Sequence, residues 1–143
     1  MSTRRKSGGT SLSMFLARRT DMRPARDTLM LNLRMFRELL VAKEASESAW
    51  SELAGMVNVF GLYSGEQNRR DWTDILIGAA YALREIGARH DRVGGRWAAT
   101  PAETEALTAA LNLVDNTIMP DMAMVDFIRL AKFVNAMSEE ETA

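Results

Sequence analysis

DWTDILIGAAYALREIGARH, residues 71–90, decides the fold of this chain. Trp72, Ile75, Leu76, Ala79, Leu83, Ile86 and His90 follow at steps of three, one, three, four, three and four, which is one face of an α-helix. Asn68 or Asp71 is placed to open this helix and Gly94-Gly95 to close it. Gly78 and Gly87 lie inside it, where each glycine costs up to ~1 kcal/mol relative to alanine. Their expected use is the close approach of a neighbouring backbone.

The flanks repeat the pattern. Downstream, Thr100-Pro101-Ala102-Glu103 supplies an N-cap threonine, a proline at the first helical position and a glutamate at the third, which together make a capping box. Leu107, Leu111, Val114 and Ile118 follow on one face, and Pro120 is expected to end that helix. Asp121 can cap a last helix whose inner face is Met124, Phe127, Ile128, Ala131 and Val134, before an acidic end at Glu139-Glu140-Glu141. Upstream, Ser46-Glu47-Ser48 offers a cap with an acid in the first turn, where the helix dipole favours negative charge. Trp50, Leu53, Val57 and Phe60 form one face after it, and Met56, Val59 and Tyr63 cover much of the opposite one. That helix is apolar over most of its circumference, so a central position is expected, with Gly65 as its stop. A first helix runs from Asp27 or Thr28 to about Lys43–Ala45, with Leu29, Leu33, Phe36 and Leu40 in line. No run alternates with period two, and no repeat recurs at a fixed period. The expectation is an all-α fold, a helical bundle of four to five mostly antiparallel helices joined by short loops, with a basic N-terminal arm. Its boundaries read as a flexible basic arm at 1–26, the bundle at 27–137 and an acidic tail at 138–143.

A chain of 143 residues with 47% apolar and 26% charged residues can bury a self-sufficient single core. The absence of cysteine removes disulfides, thiolate ligands and thiol nucleophiles, and fits a cytoplasmic protein. No apolar run approaches the ~20 residues that span a bilayer, so no membrane partner is expected. The stretch Ser11–Ala17 is too short and too broken by serine for a secretory signal; the Arg/Ser-rich start shares its composition with organellar transit peptides and with basic arms, and the latter reading is preferred.

Charge is unevenly divided. The first 37 residues carry nine of the 18 basic residues against Asp21 and Asp27, a charge of +7, and the remainder carries −8, giving the net −1. One sign of charge gathered in one segment attracts polyanions or an acidic protein surface at long range. Arg4, Arg5, Lys6, Arg18, Arg19, Arg23 and Arg26 are therefore the candidate contacts to nucleic acid or to an acidic protein partner, or to the chain's own acidic body or a neighbouring copy's. A second candidate site for an anion or partner comprises Arg89, Arg92, Arg96 and Trp97 around the Gly94-Gly95 turn. The plainer reading of those arginines, dipole complementation and solubility, is favoured because acids are interspersed with them. Trp97 is expected partly exposed, as a lid over the corner or as a contact anchor, whereas Trp50 and Trp72 sit on apolar stripes.

Catalytic signals are weak. His90 beside Asp91 is the best residue for a general base, although a boundary residue on an apolar stripe is the simpler reading, and no serine lies in a nucleophile-elbow pattern. One histidine and no cysteine leave only carboxylates for a metal, and Glu38, Glu44, Glu47, Glu52, Glu85, Glu103 and Glu105 read as solvated faces. No catalytic residue, metal or cofactor is therefore expected. Ten methionines, with Met119, Met122, Met124 and Met137 gathered near the last helix, serve equally well as an adaptable partner surface or as core filler.

The segments ESAWSELAGMVNV (47–59) and RVGGRWAATPAETEALTAALNLVD (92–115), with a long helix between them and one after, give a layout over residues 27–136. That layout resembles small uncharacterised all-helical proteins carried by proteobacterial phages and plasmids. The resemblance implies an accessory or regulatory role on a mobile element and transfers no site residue. The resulting expectation is a non-enzymatic protein that binds a host protein or nucleic acid through its basic arm and forms a homo-oligomer. The alternatives are a structural subunit tethered by its arm, and a small enzyme using His90 or carboxylates on a phosphorylated substrate.

Overall fold

A computed structural model describes the backbone of residues 22–142 and the side chains of residues 26–138. Its order is α1 (Met22–Val41), α2 (Glu47–Glu66), α3 (Arg70–Val93), α4 (Pro101–Leu113), a π-helical turn (Val114–Ile118), a short α5 (Met119–Asp121) and α6 (Met124–Thr142), with no strand among the described residues. The all-α bundle is thus observed. α2 packs against α1, α3 and α6, the central position its nearly uninterrupted apolar circumference calls for. α1 closes the bundle onto α4: Arg34 reaches Asn112 and Asp115 while Arg37 reaches Thr108, so the two helices run antiparallel.

The core joins Leu29, Leu33 and Leu40 of α1, Leu53 and Phe60 of α2, Leu76, Leu83 and Ile86 of α3, Leu107 of α4 and Phe127 of α6. Phe60 and Phe127 meet with ring centroids 5.9 Å apart and seat α6 on α2. Burying such a side chain contributes roughly 2–3 kcal/mol, so these rings are a main anchor of the last helix. Leu33, Leu53, Leu76, Leu107 and Val114 line an apolar pocket of about 20 Å³, room for no more than a water-sized molecule. Met119 and Met122 are buried core filler, while Met137 is exposed. Tyr63 donates to the Asp121 carboxylate at 3.1 Å, and burial followed by that carboxylate holds its phenol above the ordinary value.

Several boundaries differ from the sequence reading. α1 is already helical at Met22, five residues before Asp27, because proline is tolerated in a first turn, where its missing N–H has no partner to lose. Arg23 and Arg26 are therefore helical and not part of a separate arm, while Arg4, Arg5, Lys6, Arg18 and Arg19 lie outside the described residues. Gly65 does not stop α2. The stop is Asn68 in the left-handed region at φ 56°, with Asn68 N–H bonded to the Gly65 carbonyl and Arg69 N–H to that of Ser64, the paired bonds of a Schellman motif. Asn68 consequently closes one helix instead of opening the next. Lys43 does the same for α1 at φ 62°, with Lys43 N–H on Leu40 and Glu44 N–H on Leu39. Pro120 does not end the helical path either: Met119 N–H bonds the Val114 carbonyl in a widened turn, and Pro120 enters α5 at its start. Asp121 then closes α5, and α6 begins at Met124 and carries the acidic end as helical backbone through Thr142.

Candidate functional site

The second candidate site forms where the α3–α4 connection crosses the α1–α2 loop. Local chemistry builds each half. Gly94 and Gly95, at φ 71° and 79°, turn the chain out of α3 in a conformation that side chains oppose. Thr100 then restarts it through a complete capping box with Glu103. Between these points the segment is strapped down: Trp97 pairs with Ala45 in an isolated antiparallel bridge, and Ala99 N–H bonds the Leu40 carbonyl at 3.1 Å.

Trp97 fills the corner. Its ring lies 4.9 Å from that of Trp50 and 3.9 Å from that of His90, centroid to centroid. Trp50 is held by its indole N–H on the Leu83 carbonyl at 2.8 Å, and its ring lies against Gly87. Trp97 is thus half-buried, a lid over the corner. The approach that Gly87 permits comes from an indole and not from a backbone, while a Cβ on Gly78 would meet nothing within 4 Å.

The arginines of this site divide. Arg89 is committed: both ends of its guanidinium grip the Glu103 carboxylate and one also reaches the Ala98 carbonyl. Arg96 makes a single contact at 3.4 Å to the Lys43 carbonyl, and Arg92 is exposed. Arg96 and Arg92 therefore keep donors turned to solvent, but the bidentate pair removes the most rigid of the three from any anion.

His90 reads as structure. Neither ring nitrogen has a hydrogen-bond partner among the described residues, so no carboxylate orients it as a base is oriented. Glu52 departs from its reading as part of a solvated face: it is 7% exposed, its Oε2 lacks a partner, and burial pushes its pKa up to about 7. Its stripe with Met56, Val59 and Tyr63 was visible in the sequence, so the signal was there. Glu103 is also drawn out of solvent by Arg89.

The first candidate site enters the described residues only at its last members. Arg26 is half-buried on α1, its Nε shielded and its guanidinium 3.8 Å from Asp27. Arg34 is paired with Asp115 and Arg37 with Glu38, so part of the positive charge of the first 37 residues is spent inside the bundle. Residues 1–21 retain five basic residues against Asp21.

Among the described residues no group of three or more acidic or histidine side chains is arranged to hold a metal, and no helix is long and apolar enough to cross a membrane. Comparison with protein-family models, curated proteins and solved structures finds no match to this chain.

Proposed function

We propose that this protein is a non-enzymatic helical scaffold that presents a basic N-terminal stretch to a nucleic acid, as an accessory or regulatory factor of the phage or plasmid type, and that it works as a homo-oligomer in the cytoplasm. The observation that carries the reading is the division of charge, +7 over the first 37 residues and −8 over the rest. Arg34 and Arg37 are paired with bundle residues, which leaves Arg4, Arg5, Lys6, Arg18, Arg19, Arg23 and Arg26 for phosphate contacts; Arg4, Arg5, Lys6, Arg18 and Arg19 precede α1 and are the five to be tested. Such contacts give affinity without base readout and a strong dependence on salt. The acidic body would repel the same polyanion, which confines contact to the stretch.

The test is fluorescence anisotropy of a labelled mixed-sequence DNA duplex between 50 and 300 mM salt, with the intact chain and with a variant in which those five residues are glutamine. Neutralising about four or five phosphates gives a slope of log affinity against log salt of roughly −4, abolished in the variant. Binding that survives the five substitutions, or no binding at the lowest salt, overturns the proposal. An acidic protein surface is the second reading; it predicts capture of a polyglutamate peptide, with the same loss in the variant, and no retention of DNA.

A further inference from the structure

The outward side of α3 carries a pattern that its buried stripe does not explain. Opposite Leu76, Ala79, Leu83 and Ile86, the residues Asp74, Ile77, Tyr81 and Arg84 follow at steps of three, four and three, and all four are exposed, Ile77 at 46% and Tyr81 at 59%. Read backwards, the steps are the same, with the acid and the base exchanged. Laid antiparallel on a second copy, α3 therefore brings Asp74 onto Arg84 and Ile77 onto Tyr81, and by symmetry each pair occurs twice. The twofold axis passes at the level of Ala79. Beside it stands Gly78, where a Cβ would meet nothing within 4 Å, as at Gly55, Gly61 and Gly65. On the flank of this face its missing side chain leaves room for a second helix. The Arg84 guanidinium carbon already lies 5.3 Å from the Tyr81 ring centroid, so the base and the aromatic are held side by side.

We infer that this face is a homodimer interface, with the Asp74–Ile77–Tyr81–Arg84 edge of α3 packed antiparallel on the same edge of a second copy. The inference rests on the self-association in the proposed function and names the surface that makes it. Ile77 and Tyr81 supply the apolar contact, and the two ion pairs set register and choice of partner. A copy of this chain is the occupant that the charge order selects, because a partner lacking a base and an acid at that separation would leave Asp74 or Arg84 unmatched.

Sedimentation velocity from 1 to 200 μM tests it, using the intact chain, Asp74→Arg, Arg84→Asp and the double exchange. The intact chain is expected to form a species of twice 15.9 kDa. Either single reversal sets like charges together twice and weakens the dimer by about tenfold or more, and the double exchange restores it to within about threefold. Circular dichroism confirms that each variant is helical; for a reversal that lost helicity, Tyr81→Gln is read in its place, with the same weakening expected. An intact chain that stays monomeric throughout overturns both the interface and the self-association. A dimer indifferent to the single reversals, or not rescued by the exchange, overturns the interface alone.

Discussion

The indole of Trp50 stands where a side chain on Gly87 would have to go: a Cβ built there lies 2.9 Å from its Cζ2. Trp50 cannot easily yield, because its N–H is tied to Leu83 and its other face meets Trp97. Gly87→Ala should therefore destabilise the protein by roughly 1–3 kcal/mol, although alanine is the better helix former. Gly61→Ala, where nothing lies within 4 Å, should stabilise it by about 0.5–1 kcal/mol. Urea unfolding of the two variants gives opposite signs; the same sign for both would refute the assignment.

Glu103 holds two structures at once. Its Oε1 accepts from Thr100 N–H at 2.9 Å, and its carboxylate receives both ends of Arg89. Glu103→Ala should cost about 1–3 kcal/mol, more than Thr100→Ala at about 1 kcal/mol. In a double-mutant cycle with Arg89→Ala, the two should be coupled, and strict additivity would show the ion pair to be idle.

Glu52 makes stability depend on pH in an unusual direction. Its folded pKa is raised from 4.5 to about 7 by burial, so the folded state binds the extra proton between those values. Stability from this group is fully present below pH 4.5, falls as the pH rises toward 7 and is lost above it, a change of up to about 3 kcal/mol. Glu52→Gln should flatten that segment of the profile and stabilise the protein at pH 8. Unchanged profiles for the two proteins would mean the carboxylate is solvated.

Lys43 is a lysine in a left-handed conformation that closes α1, at φ 62°. Lys43→Gly removes the steric opposition while keeping the backbone bonds, and thermal unfolding should show a gain of about 0.5–1 kcal/mol. His90→Phe is expected to be neutral or stabilising, since it replaces two shielded nitrogens without partners by carbon in the stack on Trp97. A loss of more than 2 kcal/mol would mean those nitrogens have partners in solution.

What could be read in the residues beforehand was whatever periodicity and capping carry. The stripe from Trp72 to His90 faces inward except at Ile75, on the boundary, and the Thr100–Glu103 box forms with both of its bonds. Ser46 caps α2 through the Ala49 N–H. Misplaced were features decided by one residue's backbone: Asn68 and Lys43 in left-handed stops, Pro24 inside a first turn, and the widened turn before Pro120. These depend on which hydrogen bond a terminus closes, and hydropathy has no term for that. The corner site was legible as a cluster of residues but not as a strap, because Arg89 pairs with Glu103 across 14 positions and Trp97 with Ala45 across a longer gap. Glu52 is the converse case: residue type argues for solvent, while its position on the stripe with Met56, Val59 and Tyr63 argues for burial.

The turn from Val114 to Ile118 acts as a one-residue shim in an otherwise regular screw. Each residue of a helix advances the chain by about 100°, so trimming one from this turn would swing α5 by that angle and displace the start of α6 beyond the break at Met122. Phe127 would then leave Phe60, and Asp121 would leave the hydroxyl of Tyr63. The seating of the final helix is thus dictated by a single surplus amino acid more than ten positions upstream of its middle, and a deletion there should undo α6 as thoroughly as removing its apolar face.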